Sequence, residues 1–360
     1  MIPTFSFQMK IVALFSLLLL LFASTCDRQV APGDSDPNPF YRVMFYNVEN
    51  LFDVVDDPQT NDQEFLPESS KSWTKKRYEN KLDKIARVIR DLGGDTLPAV
   101  IGLCEIENRF TLDDLTRRSP LKSAGYQIVH QESPDQRGID VGLLYRSGYF
   151  KLLNHRFIRV TFPDEPHIVT RDILYASGIL GKIDTLHLFV SHWPSRSGGE
   201  VPSRPRRIQV GELIRHAVDS VKARSPEARI IIMGDFNDEP HDLSVQKGLG
   251  AVGSAETLDP HGLYDLTGIL KNGKPGGTYK YLGTWNLLDH FVVSGIMLDT
   301  TALLYTKPTD MRVFSPEYLL ERDEKYLGVK PARTYGGPVY WGGYSDHLPI
   351  YLNIRYRREK

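Results

Sequence analysis

Four apolar runs in this chain each stop on a polar side chain. Val43-Met44-Phe45-Tyr46 ends at Asn47, and Val100-Ile101-Gly102-Leu103-Cys104 at Glu105. Leu186-His187-Leu188-Phe189-Val190-Ser191 ends at His192, and Ile230-Ile231-Ile232-Met233-Gly234 at Asp235. Short runs so rich in valine, isoleucine and leucine read as buried strands. A buried strand delivers its terminal side chain to the rim of a sheet with little positional freedom, which suits a preorganised site. One polar terminus is ordinary, because Asp and Asn also open turns. Four, drawn from Asn, Glu, His and Asp, point to metal or acid/base chemistry.

The rest of the chain supplies layers for such strands. Further strands are expected at Val141–Tyr145, Ile173–Ile179, His290–Val293 and Ile350–Ile354. Apolar residues at spacings of three and four predict amphipathic helices over Lys75–Leu92 and Arg206–Val221. Several strand-to-strand links, such as Tyr145 to Tyr149 and Ile179 to Thr185, are too short for a crossover helix and imply hairpins. An α/β fold with two mixed sheets packed face to face and covered by helices fits this pattern. With no second linker and no repeat, residues 40–360 read as one domain.

The first 26 residues read as an address. Lys10, an apolar core from Ile11 to Phe22, and Ala23-Ser24-Thr25-Cys26 have the parts of a secretory signal. The core is short for a membrane span. Ending at Cys26, the segment resembles a bacterial lipoprotein signal, which implies lipidation of that cysteine. The expectation is a periplasmic or outer-membrane, surface-tethered protein rather than one anchored by a transmembrane helix. Met9-Lys10 makes a more ordinary start than Met1. Residues 27–39, polar and proline-rich, read as a flexible tether.

Seven local stretches resemble the endonuclease/exonuclease/phosphatase superfamily, and they occur in that family's order. They are Tyr46-Asn47-Val48-Glu49-Asn50-Leu51, Leu103-Cys104-Glu105-Ile106-Glu107, Arg137-Gly138-Ile139-Asp140-Val141-Gly142, Ser191-His192-Trp193-Pro194, Gly234-Asp235-Phe236-Asn237-Asp238, Leu288-Asp289-His290-Phe291 and Ser345-Asp346-His347-Leu348-Pro349. The resemblance implies a four-layer α/β sandwich and a metal-dependent phosphoesterase, with nuclease the leading subclass. It makes Glu105 the main metal ligand, with Asn47 and Asp346 beside it, and Mg²⁺ the cofactor, with Mn²⁺ its substitute. It makes His192, Asp235, Asn237, Asp289 and His347 catalytic, with Asp289 and His347 as a carboxylate–imidazole pair. Asp140 and Arg171 fall at positions suited to holding phosphate. The general base is left open between Asp235 and His347.

Charge narrows the partners. Forty-four basic against forty-five acidic residues give a net charge of −1, so the chain is no general phosphate-coating protein. A local basic groove remains open, since residues 192–207 hold four arginines and one glutamate. Arg196 and Arg204 are therefore expected to grip a phosphate ester, nucleic acid included. Hydrolysis of phospholipids or inositol phosphates is the alternative within the family. A catalytically silent surface module would lack at least one of Glu105, His192, Asp235, Asn237, Asp289 or His347, yet all six are present. A zinc hydrolase would want clustered histidines, which do not occur. The two cysteines, Cys26 and Cys104, make no disulfide framework, and a monomer is expected.

Overall fold

The computed structural model describes residues 39–253 and 258–357. The signal segment, Cys26 and all but the last residue of the tether lie outside the described residues. One sheet contains β1 (Phe40–Leu51), β2 (Val100–Ile106), β3 (Tyr126–His130), β4 (Asp140–Arg146), β14 (Leu304–Tyr305), β15 (Met311–Val313) and β20 (Ile350–Tyr356). The other contains β5 (Phe150–Ile158), β6 (Ile173–Leu180), β7 (Asp184–His192), β8 (Arg229–Asp235), β9 (Ala251–Val252), β10 (Leu263–Asp265) and β13 (Asp289–Ser294). The first runs β14-β20-β1-β2-β4-β3, with β15 also on β20, and the second β5-β6-β7-β8-β13-β10-β9. Parallel pairs β1–β2 and β7–β8 stand at the centre of otherwise mostly antiparallel sheets.

Strand alternation divides the apolar side chains between two layers. Val43, Phe45, Val100 and Leu143 meet Leu188, Ile231, Met233 and Phe291 in the core between the sheets. Met44, Tyr46, Ile101 and Leu103 turn outward and pack under α1 (Lys75–Gly93) and α2 (Arg109–Arg117). Phe189, Ile230 and Ile232 pack under α3 (Glu200–Arg224) through Val210, Ile214 and Val218. The order is helix, sheet, sheet, helix. All eight strands expected from sequence form, each within a few residues of its expected limits. Strand β3, the long edge strand β5 and helix α2 were not expected.

Two hairpins near the C-terminus share a tetrapeptide. Lys280-Tyr281-Leu282-Gly283 joins β11 (Tyr279–Tyr281) to β12 (Thr284–Asn286), and Lys325-Tyr326-Leu327-Gly328 lies between β16 (Leu320–Arg322) and β17 (Val329–Pro331). In both turns the leucine and glycine have positive φ, and the leucines are 61% and 78% exposed. Lys280 ties the hairpins together, pairing with Asp323 at 2.8 Å and donating to the Leu327 carbonyl at 2.9 Å. A third hairpin pairs β18 (Tyr335–Gly336) with β19 (Val339–Tyr340). Among the described residues no helix is long and apolar enough to cross a membrane.

Candidate functional site

Sheet register assembles the site. His192, Asp235 and Asp289 are direct neighbours across β7, β8 and β13, with His192 opposite Asp235 and Asp235 opposite Asp289. Gly234 makes this approach possible: a Cβ there would lie 2.1 Å from the Ser191 carbonyl oxygen. In the other sheet Asn47 lies opposite Cys104, and the register shifts between Cys104 and Ile106. That bulge holds Glu105 at φ 62° and turns its carboxylate into the cleft.

Asn47 joins the two halves. Its amide nitrogen donates to Asp235 at 3.0 Å and to Glu105 at 3.3 Å. The backbone N–H of Asn50 donates to the second Glu105 oxygen at 2.9 Å. Ser345 donates to the Asn47 carbonyl at 2.7 Å and accepts from the His347 N–H at 3.0 Å, which fixes the segment before β20 against β1. His347 Nδ1 then meets Asp289 at 2.8 Å, while its Nε2 and that of His192 each lie 3.6 Å from Asp235. Tyr279 packs over the His347 ring at 4.8 Å.

The environments separate the two histidines. Burial works against charge on His347, but Asp289 and Asp235 outweigh it and hold the imidazole well above its usual range. Burial, then Arg171, Arg137 and His347, push His192 well below it, so that ring is neutral. Burial raises Asp235 to about 6, with His347 opposing and Asp289 adding to the rise. Asp289 Oδ1 and His192 Nδ1 are buried without a partner. Asp235, Asp289 and His347 lie close enough together to share a metal ion.

Asn237, at φ 52°, caps Asp235 with its backbone N–H at 2.9 Å and donates its amide to the Trp193 carbonyl at 3.1 Å. Behind this turn Trp193, Phe236 and His290 form one stack, with centroids 4.1 and 4.4 Å apart. His290 faces two acceptors, Asp265 at 2.9 Å and the Asp238 carbonyl at 2.8 Å. Sequence reasoning gave His290 no role. Strand alternation, which points it away from its neighbour Asp289, was the available signal.

Other expected residues stand differently. Asp346 lies 2.9 Å from Arg333, close enough to Glu105 for the two carboxylates to repel. Arg171 is buried, bonded to Asp135 at 3.1 Å and to the Trp193 carbonyl at 2.7 Å, with its Nε unpartnered. Asp140 is engaged by His130 at 3.2 Å and by the Ser133 N–H at 2.9 Å.

The arginine-rich stretch is paired within the protein. Arg196 pairs with Asp238, Asp242 and Glu200, Arg204 with Glu200, Arg206 with Glu165, and Arg207 with Asp238. The local positive excess is matched by acids distant in sequence, which counting within residues 192–207 does not register. Arg196 and Arg204 are held by carboxylates of the protein itself.

Residues 42–356 match the profile described as the Endonuclease/Exonuclease/phosphatase family. Among solved structures the chain is similar to a protein of that family from Bacteroides thetaiotaomicron (TM-score 0.56, 16% identity, 89% of this chain and 100% of that one). It is also similar to a mannosyl-6-phosphatase from Bacteroides thetaiotaomicron VPI-5482 (0.54, 14%, 87% and 99%). The human Nocturnin catalytic domain is a third neighbour (0.53, 18%, 88% and 94%). At such identities the likeness is one of fold. No curated protein matches the chain.

Proposed function

The chain belongs to the endonuclease/exonuclease/phosphatase family, and we propose that it is an exported, Mg²⁺-dependent phosphoesterase using water as the nucleophile. The observation that carries this reading is the Asn47 amide, which bonds to Glu105 of one sheet and Asp235 of the other. It brings an acidic ligand group and an acid/base group to two sides of one point. Phosphate esters resist hydrolysis because their oxygens repel nucleophiles and their leaving groups are poor. A site must neutralise charge, activate water and protonate the departing oxygen.

Glu105 and Asp346 offer the hard oxygen donors that Mg²⁺ takes, and Mn²⁺ accepts the same set. Asn47, whose amide nitrogen faces Glu105 and Asp235 and whose oxygen accepts from the Glu49 N–H at 3.0 Å, aligns the carboxylates. Among the described residues no lysine or arginine pairs with Glu105, which favours a cation there. When bound, a divalent ion supplies charge neutralisation at the phosphate and acidifies a water. The remaining work falls to the chain. Asp235, aligned by Asn47 and by the Asn237 N–H, takes the proton from the attacking water. His347, kept cationic by Asp289, faces the phosphoryl oxygens. Neutral His192 presents a ring N–H to the phosphate or to the leaving oxygen, with Arg171 fixed behind it.

Phosphodiesters, nucleic acids first, are the proposed substrates, although the neutralised arginine stretch removes one argument for a nucleic-acid groove. The test is purified protein with Mg²⁺, Mn²⁺, Ca²⁺ or EDTA on plasmid DNA, RNA, sphingomyelin, inositol phosphates, a sugar phosphate and bis-p-nitrophenyl phosphate. Mg²⁺-dependent cleavage lost in Glu105→Ala and His347→Ala is expected. Activity that survives EDTA and both substitutions would refute the reading. Export, a lipid on Cys26 and a monomeric state belong to the same proposal. Palmitate labelling abolished by Cys26→Ser tests the anchor.

A further inference from the structure

Helix α1 presents a basic stripe to the loop that leads into the site. Lys81, Lys84 and Arg87, spaced by three, donate to the Tyr344 carbonyl, the Gly342 carbonyl and the Tyr344 hydroxyl. Arg87 does so from an exposed position and Lys84 from a half-buried one. Lys81 is 1% exposed, and its ammonium group donates at 2.6 Å to both Thr334 Oγ1 and the Tyr344 carbonyl. Among the described residues no carboxylate lies within ion-pair distance of Lys81 Nζ. A buried ammonium bonded only to neutral acceptors is costly unless negative charge lies a little further out.

That charge belongs to the site. The carboxylates acting on Lys81 are Glu49, Asp346 and Glu105. Glu49 is tied to the same loop, accepting from the Thr334 N–H at 2.6 Å, and both Glu49 and Asp346 lie against Arg333, at 3.4 and 2.9 Å. Lys81 thus adds a positive charge near all three acids, and Arg333 adds a second against Glu49 and Asp346. A dication entering at Glu105 meets an acidic group already part-neutralised by the protein.

We propose that Lys81 is a positioning residue that serves as a built-in counter-charge, holding the loop that carries Asp346 and His347 and lowering the affinity of the Glu105 side for a divalent cation. The proposal rests on the reading that Glu105 belongs to a divalent-ion site. It separates two roles that a mechanical clamp would combine. Removing the charge strengthens cation binding, whereas releasing the loop weakens it.

The test is Mn²⁺ alone, titrated at pH 7 against the full chain by electron paramagnetic resonance of the free ion. Lys81→Met, and Lys81→Gln as a second neutral variant that keeps a donor for Thr334, are expected to bind Mn²⁺ roughly fivefold to tenfold more tightly than wild type. Lys81→Arg, which keeps the charge, and Lys84→Met, which loosens the same loop from outside, stay within about twofold. Unchanged or weaker binding in both neutral variants overturns the proposal. Wild-type protein that takes up no Mn²⁺ overturns the metal reading itself, an outcome distinct from equal affinities.

Discussion

Asp289 and His347 lie 58 residues apart, yet His347 Nδ1 stands 2.8 Å from the Asp289 carboxylate with both groups buried. This pairing, with Asp235 beside it, keeps the imidazole charged where burial alone would neutralise it. A group with a raised basic pKa keeps its proton below that value and loses it as pH rises through it. Activity that needs the imidazolium therefore falls on the alkaline side. In Asp289→Asn that fall moves to lower pH, and kcat on a phosphodiester drops about 10²–10⁴-fold, the usual worth of a positioned acid/base group. The pH–rate profiles of the two proteins check this. An unchanged alkaline limb would show that His347 is not the titrating group.

Glu107 gives a prediction about stability. It follows the proposed metal ligand by two residues, but its carboxylate turns away from the cleft and accepts from the Asp53 N–H at 2.5 Å. Burial, with Asp53, Asp62 and Asp57 nearby, raises it to about 8. The native state then binds a proton that the unfolded chain has released above about 4.5, so stability falls as pH rises between those values. Each unit is worth at most about 1.4 kcal/mol, less for a group that retains some solvent. Glu107→Gln stays neutral at every pH. Its melting temperature is expected to rise relative to wild type between pH 5 and pH 9, and a gap independent of pH would count against the argument.

The repeated turns predict a stabilising change. Leu282 and Leu327 adopt positive φ, a conformation that costs a γ-branched residue roughly 1 kcal/mol and that asparagine accepts readily. Both side chains are largely exposed, so little packing opposes replacement. Leu282→Asn and Leu327→Asn together are expected to raise the denaturation midpoint by the equivalent of about 1 kcal/mol. A lower midpoint would mean that these leucines make contacts their exposure does not reveal.

Legibility in the sequence followed the physics of each signal. Asn47, Glu105, His192 and Asp235 were readable because each closes an apolar run, and the period of two in a strand fixes where its end points. Asp289 begins its strand, and it emerged only with the motif around it. The inter-sheet core and the two long helices followed from periodicity. Lys81 was hidden because a lysine on an amphipathic helix looks like a solvated residue until the loop at Thr334 and Tyr344 covers it. The pairing of the arginines was hidden because their partners Glu165, Asp238 and Asp242 lie on other segments. Sequence-local charge counts miss such pairing.

Arg196 and Arg204 now separate in their expected effects. Arg196 donates through Nε to the Asn237 carbonyl at 2.7 Å and through Nη2 to both Asp238 and Asp242. Those bonds hold the turn in which Asn237 caps Asp235, and the bonded carbonyl belongs to Asn237 itself. Arg196→Ala should leave KM within about twofold and lower kcat about tenfold, because a misplaced Asn237 disturbs the reacting geometry rather than ground-state binding. Arg204 only shares Glu200 at the start of a helix, an exposed pair worth at most about 1 kcal/mol, and Arg204→Ala should change neither constant. Steady-state kinetics on one soluble phosphodiester distinguish the cases. A large rise in KM for both variants at constant kcat would instead return these arginines to the grip on phosphate expected from sequence.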